Sequence, residues 1–178
     1  MAAASRLGKQ IAEIVSALDA VSIPFALIGG LALASHKVIR ATQDVDLLID
    51  SNDADRVDSA VKRLGYRNIH RSSDAGNYQR GDERLDLLYA SRAPARRLLA
   101  AAPRQETSFG LLPVIGPEGL IGFKLQALGN DPRRIQDMAD IRALLHANRA
   151  TLNMEEVREY FHLFDREPLL DEILREIH

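Results

Sequence analysis

Leu27-Ile-Gly-Gly-Leu-Ala-Leu-Ala-Ser-His36, followed closely by Arg40-Ala-Thr-Gln-Asp-Val-Asp-Leu-Leu-Ile49, is the stretch on which the reading of the chain turns. Residues 25–28 are continuously apolar and are bounded by Pro24 and by Gly29-Gly30, which predicts a short strand buried on both faces. A helix through Leu31, Ala32, Ala34, Ser35 and Val38 then winds on from the glycines, and its first N–H groups open from a side-chain-free turn suited to a phosphate. After Arg40 and Thr42 the chain returns as a strand over residues 44–49. The period of two sets Asp44, Asp46 and Leu48 on one face and Val45, Leu47 and Ile49 on the other.

Two aspartates on one strand face break a local rule, since Asp is depleted from strands and like charges repel. Departures of this kind mark functional sites. Hard carboxylate oxygens aimed at one point suit Mg²⁺, which keeps its remaining octahedral positions for water and substrate phosphate. Residues 84–90 echo the pattern: Leu85, Leu87 and Tyr89 alternate with Asp86 and Leu88, and Asp46-Leu-Leu recurs as Asp86-Leu-Leu. If the two strands are neighbours, Asp86 completes a three-carboxylate cluster; the alternative for Asp86 is a solvated aspartate paired with Arg84.

Elsewhere the patterning predicts scaffold. Ile11, Ile14, Val15, Leu18 and Val21 give an amphipathic helix over about residues 6–20, and Val57, Val61 and Leu64 give a second one, begun by Ser51-Asn-Asp and closed by Gly65. Further strands are expected over 66–70 and 78–80, with a turn at 74–77, and an edge strand or hairpin over 109–115. Arg92, Arg96, Arg97 and Arg104 form a local positive patch that suits either a solvated helix face or the steering of a polyanion such as transfer RNA.

The remainder reads as helical from Gly116-Pro-Glu-Gly onward. Lys124 sits on the apolar stripe between Leu120 and Leu128, and a buried ammonium must either snorkel out or meet an anion. Asp131-Pro132 is expected to begin the next helix, with Asp137 and Asp140 beside the inward-facing Ile141 and Leu144 and with Arg133 able to neutralise Asp137. Two helices split by Pro168 end the chain. The five histidines have no metal-ligand spacing, so zinc is not expected.

Composition bounds the rest. The 178 residues, 46% apolar and 27% charged with net charge −2, describe an ordinary globular protein with no global attraction to nucleic acid or anionic lipid. Without cysteine there are no disulfides or thiolate metal sites. The N-terminus has no long apolar segment, and the expectation is a cytoplasmic protein with no membrane partner.

Gly29-Gly30, then Arg40-x-Thr42-x-Asp44-x-Asp46-Leu-Leu, resembles the first motif of the DNA polymerase β superfamily of nucleotidyltransferases, and most closely its AbiEii/AbiGii toxin-type branch. Gly119-Leu-Ile-x-x-Lys124-x-x-Ala127 and Arg133-Arg134-x-x-Asp137-x-x-Asp140-Ile resemble that branch's third and fourth motifs. The superfamily usually has Gly-Ser at the turn; here Gly30 replaces the serine and removes a hydroxyl that would contact nucleotide phosphate.

The resemblance implies an α+β nucleotidyltransferase fold, a small mixed β-sheet flanked by helices, with the α/β core over residues 1–115 and a C-terminal helical subdomain over 116–178. It implies transfer of a nucleoside monophosphate from a nucleoside triphosphate to an acceptor hydroxyl, with Asp44, Asp46 and Asp86 holding Mg²⁺ or Mn²⁺ and Asp86 helping to deprotonate the acceptor. Lys124 joins the catalytic set. Gly29, Gly30, Arg40, Thr42, Lys124, Asp137 and Asp140 form the nucleotide-binding set. The acceptor implied is RNA, as for a toxin-like enzyme with an antitoxin protein as partner. The alternatives are an aminoglycoside-type small molecule and a non-catalytic binding or antitoxin-like module on the same fold.

Overall fold

The structure is a computed structural model that describes residues 5–177. Met1-Ala-Ala-Ala and His178 lie outside the described residues. The chain divides into two compact units, one holding the residues through Ser35 together with Arg40–Ile115, the other His36–Ile39 together with the residues from Gly116 onward.

The first unit begins with α1 (Arg6–Ala20), whose N-terminus is capped by Ser5 Oγ accepting from the Gly8 N–H at 3.0 Å and whose Ile11, Ile14 and Leu18 are buried. There follow β1 (Phe25–Leu27), α2 (Gly29–Ser35), β2 (Asp44–Asp50), a 3-10 turn at Ser51–Asp53, α3 (Ala54–Arg63), β3 (Arg67–Arg71), β4 (Ala75–Arg80), β5 (Glu83–Ala90), α4 (Ala93–Ala101), β6 (Arg104–Thr107) and β7 (Gly110–Pro113). Five strands form one mixed sheet in the order β1-β2-β5-β4-β3, with β2 and β5 as its parallel pair, while β6 and β7 form a separate hairpin.

The alternation read from the sequence becomes a two-faced sheet. Val45, Leu47 and Ile49 of β2, Leu85, Leu87 and Tyr89 of β5, and Tyr78 of β4 are all buried in the core. Asp44, Asp46 and Asp86 alternate with them and are only half-buried. The chemistry therefore sits on the other face, at the end that packing leaves partly open, since Leu48 farther along that face is fully buried.

Two local expectations are corrected in this unit. The helix winding on from the glycines stops at Ser35 and does not include Val38. Residues 75–77 are strand rather than turn, paired with Leu88, Leu87 and Asp86 of β5. The turn lies just before them, where Ser72 Oγ accepts from the N–H groups of Asp74 at 3.2 Å and Ala75 at 3.1 Å, so a serine supplies the turn chemistry that the Asp-Ala-Gly-Asn composition had suggested.

The second unit contains α5 (Pro117–Asn130), α6 (Ile135–Asn148), α7 (Met154–Leu163) and α8 (Glu167–Glu176), with Pro117 and Pro168 in first turns where a missing N–H is harmless. Asp131 does not cap α6. It ends α5, and its carboxylate folds back onto the Arg133 N–H at 3.1 Å and the Arg133 guanidinium at 2.9 Å, which spends the cap locally and delays the helix to Ile135. No helix among the described residues is long and apolar enough to cross a membrane.

Candidate active site

Parallel pairing of β2 with β5 sets Asp44 opposite Arg84 and Asp46 opposite Asp86. In-register residues on adjacent strands project to the same face from backbones about 4.8 Å apart. All three acids therefore share one side of the sheet. The antiparallel neighbour on the other side of β5 sets Asn77 opposite Asp86, and Asn77 Nδ2 donates to Asp86 Oδ1 at 2.6 Å.

Asp46 is turned toward the glycines. A β-carbon built on Gly29 would lie 2.3 Å from Asp46 Oδ2, and one on Gly30 would lie 2.9 Å from both Cβ and Oγ1 of Thr42. Gly29 also has φ +64°, a conformation that costs an L side chain energy. The paired glycines leave room for an aspartate and a threonine, and the Ile28 N–H donates to the Asp46 carbonyl at 3.1 Å to hold turn and strand together.

Three hard carboxylates on one face suit Mg²⁺ or Mn²⁺ by donor chemistry. Among the described residues, however, no group of three or more His, Cys, Asp or Glu side chains converges closely enough to hold an ion. Asp46 lies over Gly29, and Asp86 is drawn toward Asn77. The expected three-carboxylate cluster thus appears as a shared face, with its side chains still apart.

Beside the turn lies a cleft of about 370 Å³ lined by Gly30, Ser35, Arg40, Thr42 and the end of the β6–β7 hairpin, a size within the ordinary range for small-ligand sites. The alternative pairing of Asp86 with Arg84 does not form; among the described residues no ion pair engages the exposed Arg84 guanidinium. Sequence reasoning missed Asn77 because it fell in a segment read as a turn. The signal was available in the period of two, which puts Asn77 and Gln79 on one face of β4.

The arginine patch is partly committed. Arg96 reaches Asp50 Oδ2 at 3.3 Å, Ser51 Oγ at 3.1 Å and the Ala90 carbonyl at 3.2 Å, and Arg104 donates to the Leu111 carbonyl at 2.9 Å.

In the helical unit, Lys124, Asp137 and Asp140 are brought together. Lys124 Nζ donates to Asp137 Oδ1 at 2.9 Å and to Asp140 Oδ2 at 2.7 Å, all three residues being buried. The lysine meets its anions. Arg134, rather than Arg133, adds to Asp137 at 2.5 Å, and Gln136 Nε2 donates to Asp140 Oδ1 at 2.9 Å. Arg133 is turned to Asp131 instead, since its backbone precedes the helix.

Residues 10–89, which hold most of α1, the glycine turn, β2 and nearly all of β5, match the family model of aminoglycoside-2''-adenylyltransferase. No curated protein matches the sequence. Among solved structures, the chain is similar to the antibiotic-resistance factor ANT(2'')-Ia in solution, at 20% identity and TM-score 0.71 over 99% of this chain and 100% of that one. It is similar to a crystal structure of ANT(2'')-Ia in complex with adenylyl-2''-tobramycin, at 20% identity and TM-score 0.69 over 90% and 98% of the two chains. It is also similar to the lincomycin-bound lincosamide antibiotic adenylyltransferase LnuA, at 17% identity and TM-score 0.56 over 76% and 94%. The matched model describes an antibiotic-modifying family, where the motif pattern had led to the expectation of a toxin-type branch. The fold is the nucleotidyltransferase fold, and the part of it that carries the acidic strands is the part that matches the adenylyltransferase family model.

Proposed function

We propose that this protein transfers a nucleoside monophosphate from a nucleoside triphosphate to a hydroxyl of a small, amine-bearing, polyhydroxylated acceptor of the aminoglycoside type. The observation that carries the reading is the register of Asp46 against Asp86 with Asp44 one pleat before, inside the region that matches an adenylyltransferase family model. A face carrying three carboxylates favours a cationic acceptor over a polyanion. The internal ties of Arg96 and Arg104 likewise weaken the case for an arginine surface that gathers RNA or an antitoxin.

Asp44 and Asp46, with Asp86 beside them, would hold the divalent ion, which when bound supplies charge to the transferring phosphoryl group. Asp86 acts as the base. Asn77 holds Asp86 Oδ1, leaving Oδ2 to accept the proton of the acceptor hydroxyl. The acceptor oxygen forms a bond to the α-phosphorus as the bond to the β-phosphate oxygen breaks, and pyrophosphate leaves with the electron pair. Gly29, Gly30, Arg40 and Thr42 form the phosphate-binding side, and Arg84, on the same face as the acids, offsets phosphate charge. Lys124 with Asp137 and Asp140 is read as a fold-holding cluster of the helical unit, since its ammonium is already met by two carboxylates.

The test incubates the protein with each of the four nucleoside triphosphates, Mg²⁺ and a panel of aminoglycosides and lincosamides, and measures pyrophosphate and the mass of the acceptor. Acceptor-dependent pyrophosphate with a nucleotidylated product is the expected result, lost in Asp86→Asn. Pyrophosphate release that needs RNA, and none with the small acceptors, sinks the acceptor class.

A further inference from the structure

We infer that the hydroxyl of Thr42 is the side-chain donor to the triphosphate at the Gly29-Gly30 turn, and that positions 30 and 42 share a single side-chain slot; the first half rests on the nucleotidyltransferase reading. The slot is defined by distance. A β-carbon on Gly30 would stand 2.9 Å from Cβ and 2.9 Å from Oγ1 of Thr42, and 3.1 Å from its Cγ2. Non-bonded carbons pack at about 3.5–4.0 Å, so side chains cannot occupy both positions without displacement. Gly30 is thus glycine because Thr42 fills its place. A hydroxyl carried by residue 30 and the hydroxyl carried by Thr42 arrive at the same region from different points of the chain.

The surroundings of that hydroxyl fit an oxyanion. Thr42 is half-buried, and among the described residues nothing hydrogen-bonds its Oγ1, so its O–H is available to a ligand. It lines the same cleft as Arg40 and Ser35. A guanidinium and hydroxyls supply donors and positive charge, the combination that recognises phosphate. The β-branched shape matters too: the methyl and hydroxyl of a β-branched residue restrict χ1, so the donor is held rather than sampled.

The experiment measures binding of a non-hydrolysable nucleoside triphosphate analogue with Mg²⁺ by calorimetry, together with melting temperature, for the full chain and four variants. Thr42→Val keeps the shape and removes the hydroxyl; its affinity is expected to fall about ten- to a hundredfold, as for loss of a hydrogen bond to a charged group, at an unchanged melting temperature. Thr42→Ser should bind within about threefold of wild type, an effect below the loss of one such bond. Gly30→Ser alone should melt lower because the slot is then doubly filled. The double variant Gly30→Ser with Thr42→Gly, which also removes the β-carbon that a serine at position 30 would meet at 2.9 Å, should melt above Gly30→Ser alone and recover affinity, because the hydroxyl has moved to the other side of the slot. Thr42→Val binding like wild type overturns the donor role. A folded double variant that binds no better than Thr42→Val overturns it as well. Absence of binding by the wild type would instead sink the nucleotidyltransferase reading, and the melting temperatures of the single and double variants would still decide whether the slot is shared.

Discussion

The carboxylate of Asp46 lies over Gly29, where a β-carbon would stand 2.3 Å from its Oδ2 and 2.6 Å from its Cγ. Gly29 has φ +64° and Gly81 has φ +58°, but a β-carbon on Gly81 would meet nothing within 4 Å. The two glycines therefore separate backbone strain from overlap. Gly81→Ala is expected to cost about 1–2 kcal/mol of stability for the left-handed conformation alone, with activity intact. Gly29→Ala adds displacement of Asp46 and is expected to lower kcat by at least about tenfold beyond any change in folding, since misplacement of a catalytic group by about 1 Å is costly. Parallel denaturation curves and initial rates check both. Equal rates in the two variants would show that Asp46 need not lie where it does.

Asn77 acts through Asp86. Its amide holds one carboxylate oxygen at 2.6 Å and so fixes which way the other points. Asn77→Ala is expected to lower kcat about ten- to a hundredfold, the range for loss of a supporting partner to a reacting group, while KM for the triphosphate stays near the wild-type value. Asn77→Ser, which retains a donor, should recover part of the loss. A variant whose KM rises with kcat unchanged would place Asn77 in substrate binding and remove it from the positioning of the base.

How far these relationships could be read from the chain depends on how local their causes are. The alternation of Asp44, Asp46 and Asp86 with buried apolar residues is a property of each strand by itself, so the shared face was legible once β2 and β5 were taken as neighbours. The turn and the nucleotide side were legible as residue types, but the reason for Gly30 was hidden, because the atoms that exclude its side chain belong to Thr42. Asn77 was lost to composition: Asp74-Ala-Gly-Asn77 has turn residues, and only pairing with β5 makes most of it strand. The start of α6 was misplaced for a related reason, since Asp131 serves as a good cap residue but spends its oxygens on Arg133. Lys124 on an apolar stripe left open a route to the surface or a buried partner, and Asp137 and Asp140 lay on the inward face of their own helix pattern, so the cluster was readable only as two half-statements.

Lys124 is 7% exposed, and Asp137 and Asp140 are 7% and 2% exposed. Removing the ammonium leaves two carboxylates facing each other in a poorly solvated place, with Arg134 and Gln136 among their remaining partners. Lys124→Met is therefore expected to destabilise the protein by about 3–5 kcal/mol, the cost of breaking a buried pair from one side. Replacing all three by apolar residues of similar size should restore much of that loss, because no buried charge is then uncompensated. Chemical denaturation measures both. A Lys124→Met variant as stable as wild type but defective in triphosphate binding would move this lysine from the fold to the nucleotide.

Glu83 gives a pH dependence whose sign can be worked out. Arg80 Nε lies 2.7 Å from Glu83 Oε2, and the Tyr66 hydroxyl donates to the same oxygen at 3.1 Å. The Arg80 guanidinium foremost holds the carboxyl below its ordinary value of 4.5; burial opposes the shift and the Tyr66 hydroxyl adds to it. A depressed folded-state pKa means that above about 4.5 both folded and unfolded forms are ionised and the full stabilisation is present. As pH falls through that value the unfolded chain takes up the proton first, and the contribution is lost until the folded carboxyl is protonated as well. Glu83→Gln keeps the shape and removes the titration. The stability difference between wild type and Glu83→Gln, read from urea midpoints, should be widest near pH 7 and should shrink as pH falls below about 4.5, at about 1.4 kcal/mol for each unit of depression. The guanidinium also engages Glu13 at 2.6 Å, so Glu13→Gln offers a control on an exposed partner of the same arginine, with a difference of about 0–1 kcal/mol. A gap between wild type and Glu83→Gln that is the same at every pH would mean that the side chain contributes by packing, and that its charge adds nothing to the fold.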